Sequence, residues 1–382
     1  MAYSLFDPYG ACMPVLWFHG MRDRLRGNKA RASARWGWLR PPNVSGKVVW
    51  IIAGHSRKSV RLGVELLRAI RAKRLDIRLV LTFEEEYPDL LAPLEKLKKT
   101  GWGYGPSDHP IAVKRVFKRF APYGVVFAGV TPRPNLAHAC EQWPHTLIVA
   151  ADPPTPAKGF EHVYPATEAQ AVLWDGHSQA PIVDFLTLLA EAQVDPNFKS
   201  LVNHGAERFL WWLHSDDDAY VNAFARSFRD KQPDSVLFVS GGPASMDGKE
   251  ALGNTLRISQ WQRTKVENGQ IVYVDDRKWL PAIAAACTAL HLQCMEPEVL
   301  WQAMAGGCAI SCHDVTSLPK ADLVQAIAEF SDVNSVHVHW QEFRDNPILA
   351  RNRGDDARRL FWQERRLAAE VNEELLQRVF EW

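Results

Sequence analysis

The sequence predicts an α/β protein of two doubly wound units with a helical tail. Two observations carry this expectation. Short apolar runs alternate with segments of helical periodicity, and the alternation occurs twice, on either side of a weakly patterned region that begins at the proline-rich stretch ADPPTPAKG (151 to 159). A third is the tail from 320, where apolar residues at Leu360, Phe361, Leu367, Val371, Leu375 and Val379 mark a long terminal helix expected to pack back across the domain seam.

Within residues 13 to 37, Val15, Leu16, Trp17 and Phe18 precede Arg22, Arg24, Arg26, Lys29, Arg31 and Arg35. Such a segment suits either a solvated basic helix docked on the first domain or a helix lying against an anionic bilayer or acidic partner. KVVWIIA (47 to 53) reads as a strand buried on both faces; the loop GHSRKS (54 to 59) then leads into a helix with Val60, Val64, Leu67 and Ile70 on one face. That order sets Ser56, Ser59 and backbone amides at a helix N-terminus, where anions bind. A strand at 76 to 83 precedes a helix through EEEYPDLLAPLEKLKK, whose Glu84 to Glu86 favour its positive start. GWGYGPSDHP (101 to 110) reads as a loop, followed by a helix to Phe120 and strands at 123 to 130 and 145 to 152. Beyond 160, helices are expected at 181 to 192, at 204 to 213 and after HSDDD (214 to 218), the last capped by Asp216.

The second unit begins with SVLFVSGG (235 to 242) and continues through TLRISQW (255 to 261) and QIVYVDD (270 to 276). Residues 271 to 311 then read as a strand ending at Asp275, a helix over 279 to 287, a buried run at 288 to 293, a loop carrying Glu296 and Glu298, and a helix stopped by Gly306-Gly307. A polar loop and helix start facing a strand end form the crevice that holds nucleotides in open α/β sheets. The expected domains are a first Rossmann-like unit at 1 to 190, a helical connection at 191 to 234, a second Rossmann-like unit at 235 to 345, and terminal helices at 346 to 382.

Composition bounds the function. A formal net charge of +1 argues against a dedicated nucleic-acid binder, so any basic surface is local. Six cysteines, four of them between 287 and 312, form no disulfide framework and point to a reducing compartment. No run approaches a membrane span or signal peptide, so the expected location is cytoplasmic, with peripheral contact at the inner membrane left open by the basic segment. HLQC (291 to 294) and CAISCH (308 to 313) fit no closed zinc spacing, and Cys287, Cys294 and Cys308 read as buried apolar thiols; Trp211-Trp212 reads as core packing.

Two parallel halves with a helical tail suggest the GT-B architecture, in which two Rossmann-like domains face a central cleft. At several places the sequence resembles the 3-deoxy-D-manno-octulosonic acid (Kdo) transferases of lipopolysaccharide assembly. IIAGHSRKS before LLRAI is similar to that family's WIHAxSxGE strand and following helix, with Ser56 on the motif serine. Pro106 and Asp108 in GPSDHP match a PLD segment, and Pro134-Asn135 in GVTPRPN match WPN. FVSGGPASMDGKEAL resembles the AGSTHxGEE loop, and IVYVDDRKWLPAIAAACTAL its strand-aspartate-helix. VLWQAMAGGCAI resembles the broader GT-B segment that closes over the ribose. The sequence departs from the family where Ser59 stands for the catalytic glutamate, Gly129 and Thr131 for an acidic pair, Arg133 for the tryptophan and Gln302 for the ribose-binding glutamate.

The resemblance implies transfer of a sugar from CMP-Kdo or a related nucleotide sugar, with no metal and no other cofactor, onto a cell-envelope glycan or glycolipid; a rival enzyme reading is a transferase that uses a different nucleotide sugar, with His55 or Asp108 as base. Such transfer needs a base for the acceptor hydroxyl and donors for the donor phosphate. His55 is the loop residue suited to a base near neutral pH; Asp108 is the alternative, or else a helix cap, and Ser59 holds the position of the family base. Ser56, Arg57, Lys58, Arg133 and Asn135 are the candidate acceptor contacts. Ser240, Gly241, Gly242, Arg263, Asp275, Glu296, Glu298 and Gln302 are the candidate nucleotide contacts. Loss of the glutamate at Ser59 and of the charge at Gln302 sustains a second reading, a catalytically silent paralogue that binds a nucleotide sugar or a partner protein.

Overall fold

A computed structural model describes residues 7–143, 145–191, 198, 208–241, 255–259 and 266–382. The chain forms two compact units: one comprises the residues up to Phe185 together with Ala369–Trp382, the other Leu186–Ala368.

In the first unit, helices α1 (Met13–Leu25) and α2 (Lys29–Arg35) precede β1 (Val48–Ala53), α3 (Arg57–Lys73), β2 (Arg78–Phe83), the single turn α4 (Pro88–Leu91) and β3 (Thr100–Tyr104). After them come α5 (Pro110–Phe120), β4 (Pro122–Ala128), α6 (Pro134–Cys140), β5 (Thr146–Val149), β6 (His162–Tyr164) and α7 (Glu168–Leu173). The six strands are parallel in the order β3-β2-β1-β4-β5-β6, so the strand order reverses between β1 and β4. All six residues of β1 are buried because helices cover both faces of a parallel sheet. Trp50 fills the space between this strand and α5, edge-on to Phe117 and Phe120, and its indole N–H donates to Thr82 Oγ1 at 2.9 Å.

Two expectations for this unit change. GWGYG is not a loop but the edge strand β3, paired in register with β2. Glycine-rich sequence carries no pattern of its own, and an edge position needs only one backbone partner. The helix expected through EEEYPDLLAPLEKLKK shrinks to α4 and a 3-10 turn at Ala92–Lys96, since Pro88 and Pro93 each remove a backbone donor.

The second unit contains β7 (Leu210–His214), α8 (Asp218–Lys231), β8 (Val236–Ser240), β9 (Thr255–Arg257), β10 (Ile271–Tyr273) and α9 (Leu280–Ala286). Then follow β11 (Ala289–Leu292), α10 (Pro297–Gly306), β12 (Ala309–Cys312), β13 (Ile327–Glu329), α11 (Val333–Asp345) and α12 (Pro347–Glu381). Its seven parallel strands run β13-β12-β11-β7-β8-β10-β9, with the reversal between β7 and β11. α10 stops at Gly307, whose φ of +78° is a left-handed cap that glycine adopts without strain, as the Gly306-Gly307 pair implies.

The helix expected at 204 to 213 is instead the strand β7 in its described part. A short wholly apolar run such as LWWLH cannot be told from a helix by periodicity, and burial on both faces decides for the strand. The segment at 181 to 192 is reduced to a 3-10 helix at Phe185–Leu189. The cap of α8 is Asp217, not Asp216: its carboxylate accepts from the amides of Ala219 and Tyr220. α12 is one helix of 35 residues, and its Phe361, Ala368, Val371, Leu375 and Val379 are buried. The chain ends on β4 of the first unit, where a side chain on Gly124 would meet the ring of Trp382 at 2.2 Å. No helix among the described residues is long and apolar enough to cross a membrane.

The layer between α8, α11 and the second sheet buries histidines. His291 Nδ1 meets Ser311 Oγ at 3.0 Å and its Nε2 meets the Tyr220 hydroxyl at 3.1 Å, while His337 packs on Phe224 at 4.4 Å. Burial, then repulsion from His313, His337 and His339, lowers His291 to about 3; burial, then Lys231, lowers His337 to about 4. Each therefore binds a proton less readily folded than unfolded. The stability this contributes is fully present above about pH 6.5 and is lost as pH falls toward those values. The urea midpoint should drop between pH 7 and pH 4.5, and by less in His337→Leu than in the parent; equal drops would refute the assignment.

Candidate functional site

In the first unit the carboxyl ends of β1, β2, β4 and β5 open onto a cavity of about 710 Å³, lined among others by Tyr9, His55, Ser56, Glu84, Arg133 and Asp152. This is where strand ends diverge at an order reversal and where open α/β sheets hold ligands. Ser56 caps α3, its hydroxyl accepting from the Ser59 amide at 3.2 Å. Ser59 is buried beneath the loop: its Oγ accepts from the Gly54 amide at 2.7 Å and donates to the Ala128 carbonyl at 2.5 Å. One hydroxyl thus ties the end of β1 to the end of β4.

The His55 side chain is 84% exposed, with Nδ1 3.9 Å from Glu84 Oε2. Glu84 follows β2, and its other oxygen accepts from Arg133 at 2.7 and 3.1 Å. Arg133 also pairs with Asp7. Burial alone would loosen the proton of Arg133, but Glu84 and Asp7 outweigh it and raise its pKa. The Tyr9 ring lies 4.3 Å from the Arg35 guanidinium, and its hydroxyl donates to the Glu84 carbonyl at 2.8 Å; burial, opposed by Arg35 and Arg31, pushes that phenol up to about 12. Arg57 pairs with Asp89, and Lys58 lies 3.5 Å from the buried Asp184.

Asp108 is buried and does not line this cavity. Its carboxylate accepts from the amides of Asn135 at 3.1 Å and Leu136 at 2.9 Å, and from the Asn135 side chain at 3.2 Å, so it caps α6 from outside that helix. Its pKa is raised because burial outweighs these hydrogen bonds. Asp108 and Asn135 together fix the helix start that follows Arg133.

In the second unit a cavity of about 160 Å³ lies at the carboxyl ends of β7, β8 and β10, lined by His214, Ser240, Gly241, Tyr273, Asp275 and Arg277 among others. The Trp212 indole can only donate, so Ser240 Oγ accepts it at 2.8 Å. The Ser240 proton then serves His214 Nδ1 at 2.9 Å, which leaves Nε2–H for Glu296 at 3.1 Å. Glu296, just before α10, also accepts from Arg277 at 3.0 Å, and Arg277 reaches Glu298 at 3.3 Å. Burial would raise the Glu296 carboxyl, but His214 and Arg277 prevail and hold it at about 2. Gly241 has φ +90°, and a side chain there would meet the Ser215 carbonyl at 2.5 Å. Asp275 accepts from the Ser259 amide at 3.2 Å and from its hydroxyl.

The second cavity and its hydrogen-bonded rim thus unite Ser240, Gly241, Asp275, Glu296 and Glu298. Gln302 is buried elsewhere, exchanging two hydrogen bonds with the Glu191 backbone at 2.6 and 3.2 Å. Gly242 and Arg263 lie outside the described residues. Sequence reasoning passed over Glu84, Tyr9, Asp7 and Asp152 in the first cavity and His214, Tyr273 and Arg277 in the second. Glu84 and Arg277 stood just after apolar strands, the position where doubly wound folds carry ligand contacts; His214 was hidden by the mistaken helix. Among the described residues no three His, Cys, Asp or Glu side chains gather as a metal site, and Cys287 and Cys308 are core thiols whose pKa burial raises.

No protein-family model matches the sequence, and no curated protein matches it by sequence. Solved structures do match. A glycosyltransferase from Rickettsia africae superposes with a TM-score of 0.61 at 11% identity, over 88% of this chain and 99% of the other. The UDP-GlcNAc 2-epimerase of Neisseria meningitidis, bound to UDP-GlcNAc, gives 0.57 at 10% identity over 87% and 100%. The fold is GT-B. HepE from Anabaena, in complex with UDP-glucose, matches at 0.54 and 9% identity over 88% and 100%. At such identity the likeness is one of fold.

The roles of Asp108 and His55 separate experimentally. Asp108→Ala leaves the two amides at the start of α6 without a buried acceptor and should cost about 1–3 kcal/mol of stability in urea unfolding. His55→Ala, at an exposed side chain, should change stability by less than about 0.5 kcal/mol.

Proposed function

We propose that the protein is a glycosyltransferase that binds a nucleotide sugar in its second unit and an acceptor in its first. The observation that carries this reading is the second cavity. It lies at parallel strand ends, offers a glycine with positive φ, and has Arg277 at its rim held by two carboxylates beside a helix start. A donor phosphate would compete with Glu296 and Glu298 for the same guanidinium, and the α10 amides favour negative charge. The GT-B neighbours that bind UDP-GlcNAc and UDP-glucose support a nucleotide-sugar donor. The motif resemblance supports CMP-Kdo, with an envelope glycan or glycolipid as acceptor and lipopolysaccharide assembly as the setting.

His55 is the general base of this reading. It lines the first cavity, and the Glu84 carboxylate 3.9 Å away would stabilise the imidazolium that forms when it takes the acceptor proton. Asp108 is buried in a cap and Ser59 gives its proton to a carbonyl, so neither competes for that role. Arg57, Lys58 and Arg133 are each paired with a carboxylate. Four carboxylates (Asp7, Glu84, Glu85, Asp152) against two guanidinium groups (Arg31, Arg133) line the cavity. This balance favours a neutral or amine-bearing acceptor group there over an anionic one. One observation favours the silent-paralogue reading: Gln302, at the ribose position of the resemblance, is committed to the Glu191 backbone.

Calorimetric titration with CMP, CMP-Kdo, UDP and UDP-GlcNAc tests the donor. Binding of one nucleotide is expected, weakened about tenfold or more by Arg277→Ala. Affinity for none of the four, or an unchanged affinity in Arg277→Ala, refutes the donor site. His55→Ala should lower turnover by about 10²- to 10⁴-fold while leaving nucleotide affinity unchanged. Nucleotide binding without transfer to any glycan acceptor would favour the silent paralogue.

A further inference from the structure

Helix α1 has a buried side and an unusual exposed side. Leu16, Gly20 and Asp23 face inward, with Asp23 accepting from the buried Arg35 at 2.6 Å. Outward stand Met13, Trp17, Met21 and Leu25, spaced four residues apart and 40%, 62%, 41% and 81% exposed, together with Phe18 at 54%. At 100° per residue these five side chains sweep an exposed arc about 140° wide. Scattered single apolar residues on a surface need no explanation, but five on one helix face form a stripe.

The charges around the stripe have one sign. Arg22 and Arg26 lie beyond one margin of this arc and Arg24 within it, between Met13 and Trp17, with Lys29 one turn beyond; all four are exposed, and none is in an ion pair among the described residues. The only acid of the helix, Asp23, is turned inward and neutralised. An exposed row of Met, Trp, Phe and Leu with exposed Arg and Lys beside and within it matches the boundary between headgroups and acyl chains. Indole and aliphatic side chains enter that layer while guanidinium groups stay among lipid phosphates. A protein partner would need a complementary apolar face ringed with acids. A second copy of this chain would bring the same cations against themselves, which disfavours a self-paired stripe.

We infer that α1 is a peripheral docking element for an anionic lipid bilayer, with Met13, Trp17, Phe18, Met21 and Leu25 entering the interface and Arg22, Arg24, Arg26 and Lys29 on the headgroups. This role is independent of the donor chemistry proposed above. It explains why large apolar side chains are kept on the solvent side of a helix whose other face is already packed.

The test is flotation of the full chain with vesicles of phosphatidylcholine alone and of phosphatidylcholine with 30% phosphatidylglycerol. The protein should float with the anionic vesicles only, and less as salt rises. Trp17→Ser/Leu25→Ser should reduce the bound fraction at least tenfold. Arg22→Gln and Arg24→Gln should each reduce affinity about fivefold. An unchanged circular-dichroism melting curve shows that the variants fold, as expected for exposed side chains. Absence of flotation with anionic vesicles overturns the inference, as does flotation that survives Trp17→Ser/Leu25→Ser. A dimer by light scattering that Trp17→Ser dissolves overturns it in favour of a self-association face. Failure of nucleotide binding would leave the lipid result untouched, so the two readings fail separately.

Discussion

In a parallel sheet whose strand order reverses, neighbouring connections leave in opposite directions, and the carboxyl ends of the two central strands have nothing above them. Both units are built on that constraint: the reversal falls between β1 and β4 in one and between β7 and β11 in the other. What differs is how each gap is finished. In the first, the Ser59 hydroxyl joins the two strand ends through Gly54 and Ala128, leaving loop side chains to line a large cavity. In the second, hydrogen bonds run from Trp212 through Ser240 and His214 to Glu296, and the small cavity lies at the ends of β7, β8 and β10.

The two cavities also differ in how they hold charge. Arg133 is largely buried between Asp7 and Glu84, and its cost of burial is offset by direct contacts with both carboxylates. That arrangement fixes Glu84 beside His55, so an exposed imidazole has an oriented acid next to it. In the second cavity Arg277 is exposed on a short 3-10 turn and shares the carboxylates of Glu296 and Glu298.

Residues that look functional in sequence can be committed to architecture. Asp108 stands in a loop beside a serine, and nothing local distinguishes a base from a cap; its partners Asn135 and Leu136 are 27 and 28 positions away. Gln302 shares a helix turn with a motif that closes over ribose in other GT-B proteins, yet it satisfies the backbone of Glu191, 111 positions away. Arg57 and Lys58 are exposed cations in sequence and ion-paired in space. In each case the deciding partner is remote in the chain.

The sequence by itself determined the repeated βα rhythm, the buried strands, the Gly307 stop and the two loops where strands give way to helices. These follow from local periodicity and backbone preference, which neighbouring residues specify. Tertiary structure alone decided that GWGYG is an edge strand and LWWLH a central one, because pairing and two-sided burial act across the sheet. It alone brought Glu84 to His55 and Glu296 to His214 and Arg277, because side-chain electrostatics depends on distance in space. For the same reason only the folded chain distinguished the packed side of α1 from its exposed apolar stripe: both sides carry apolar residues, and burial against neighbouring elements is what tells them apart.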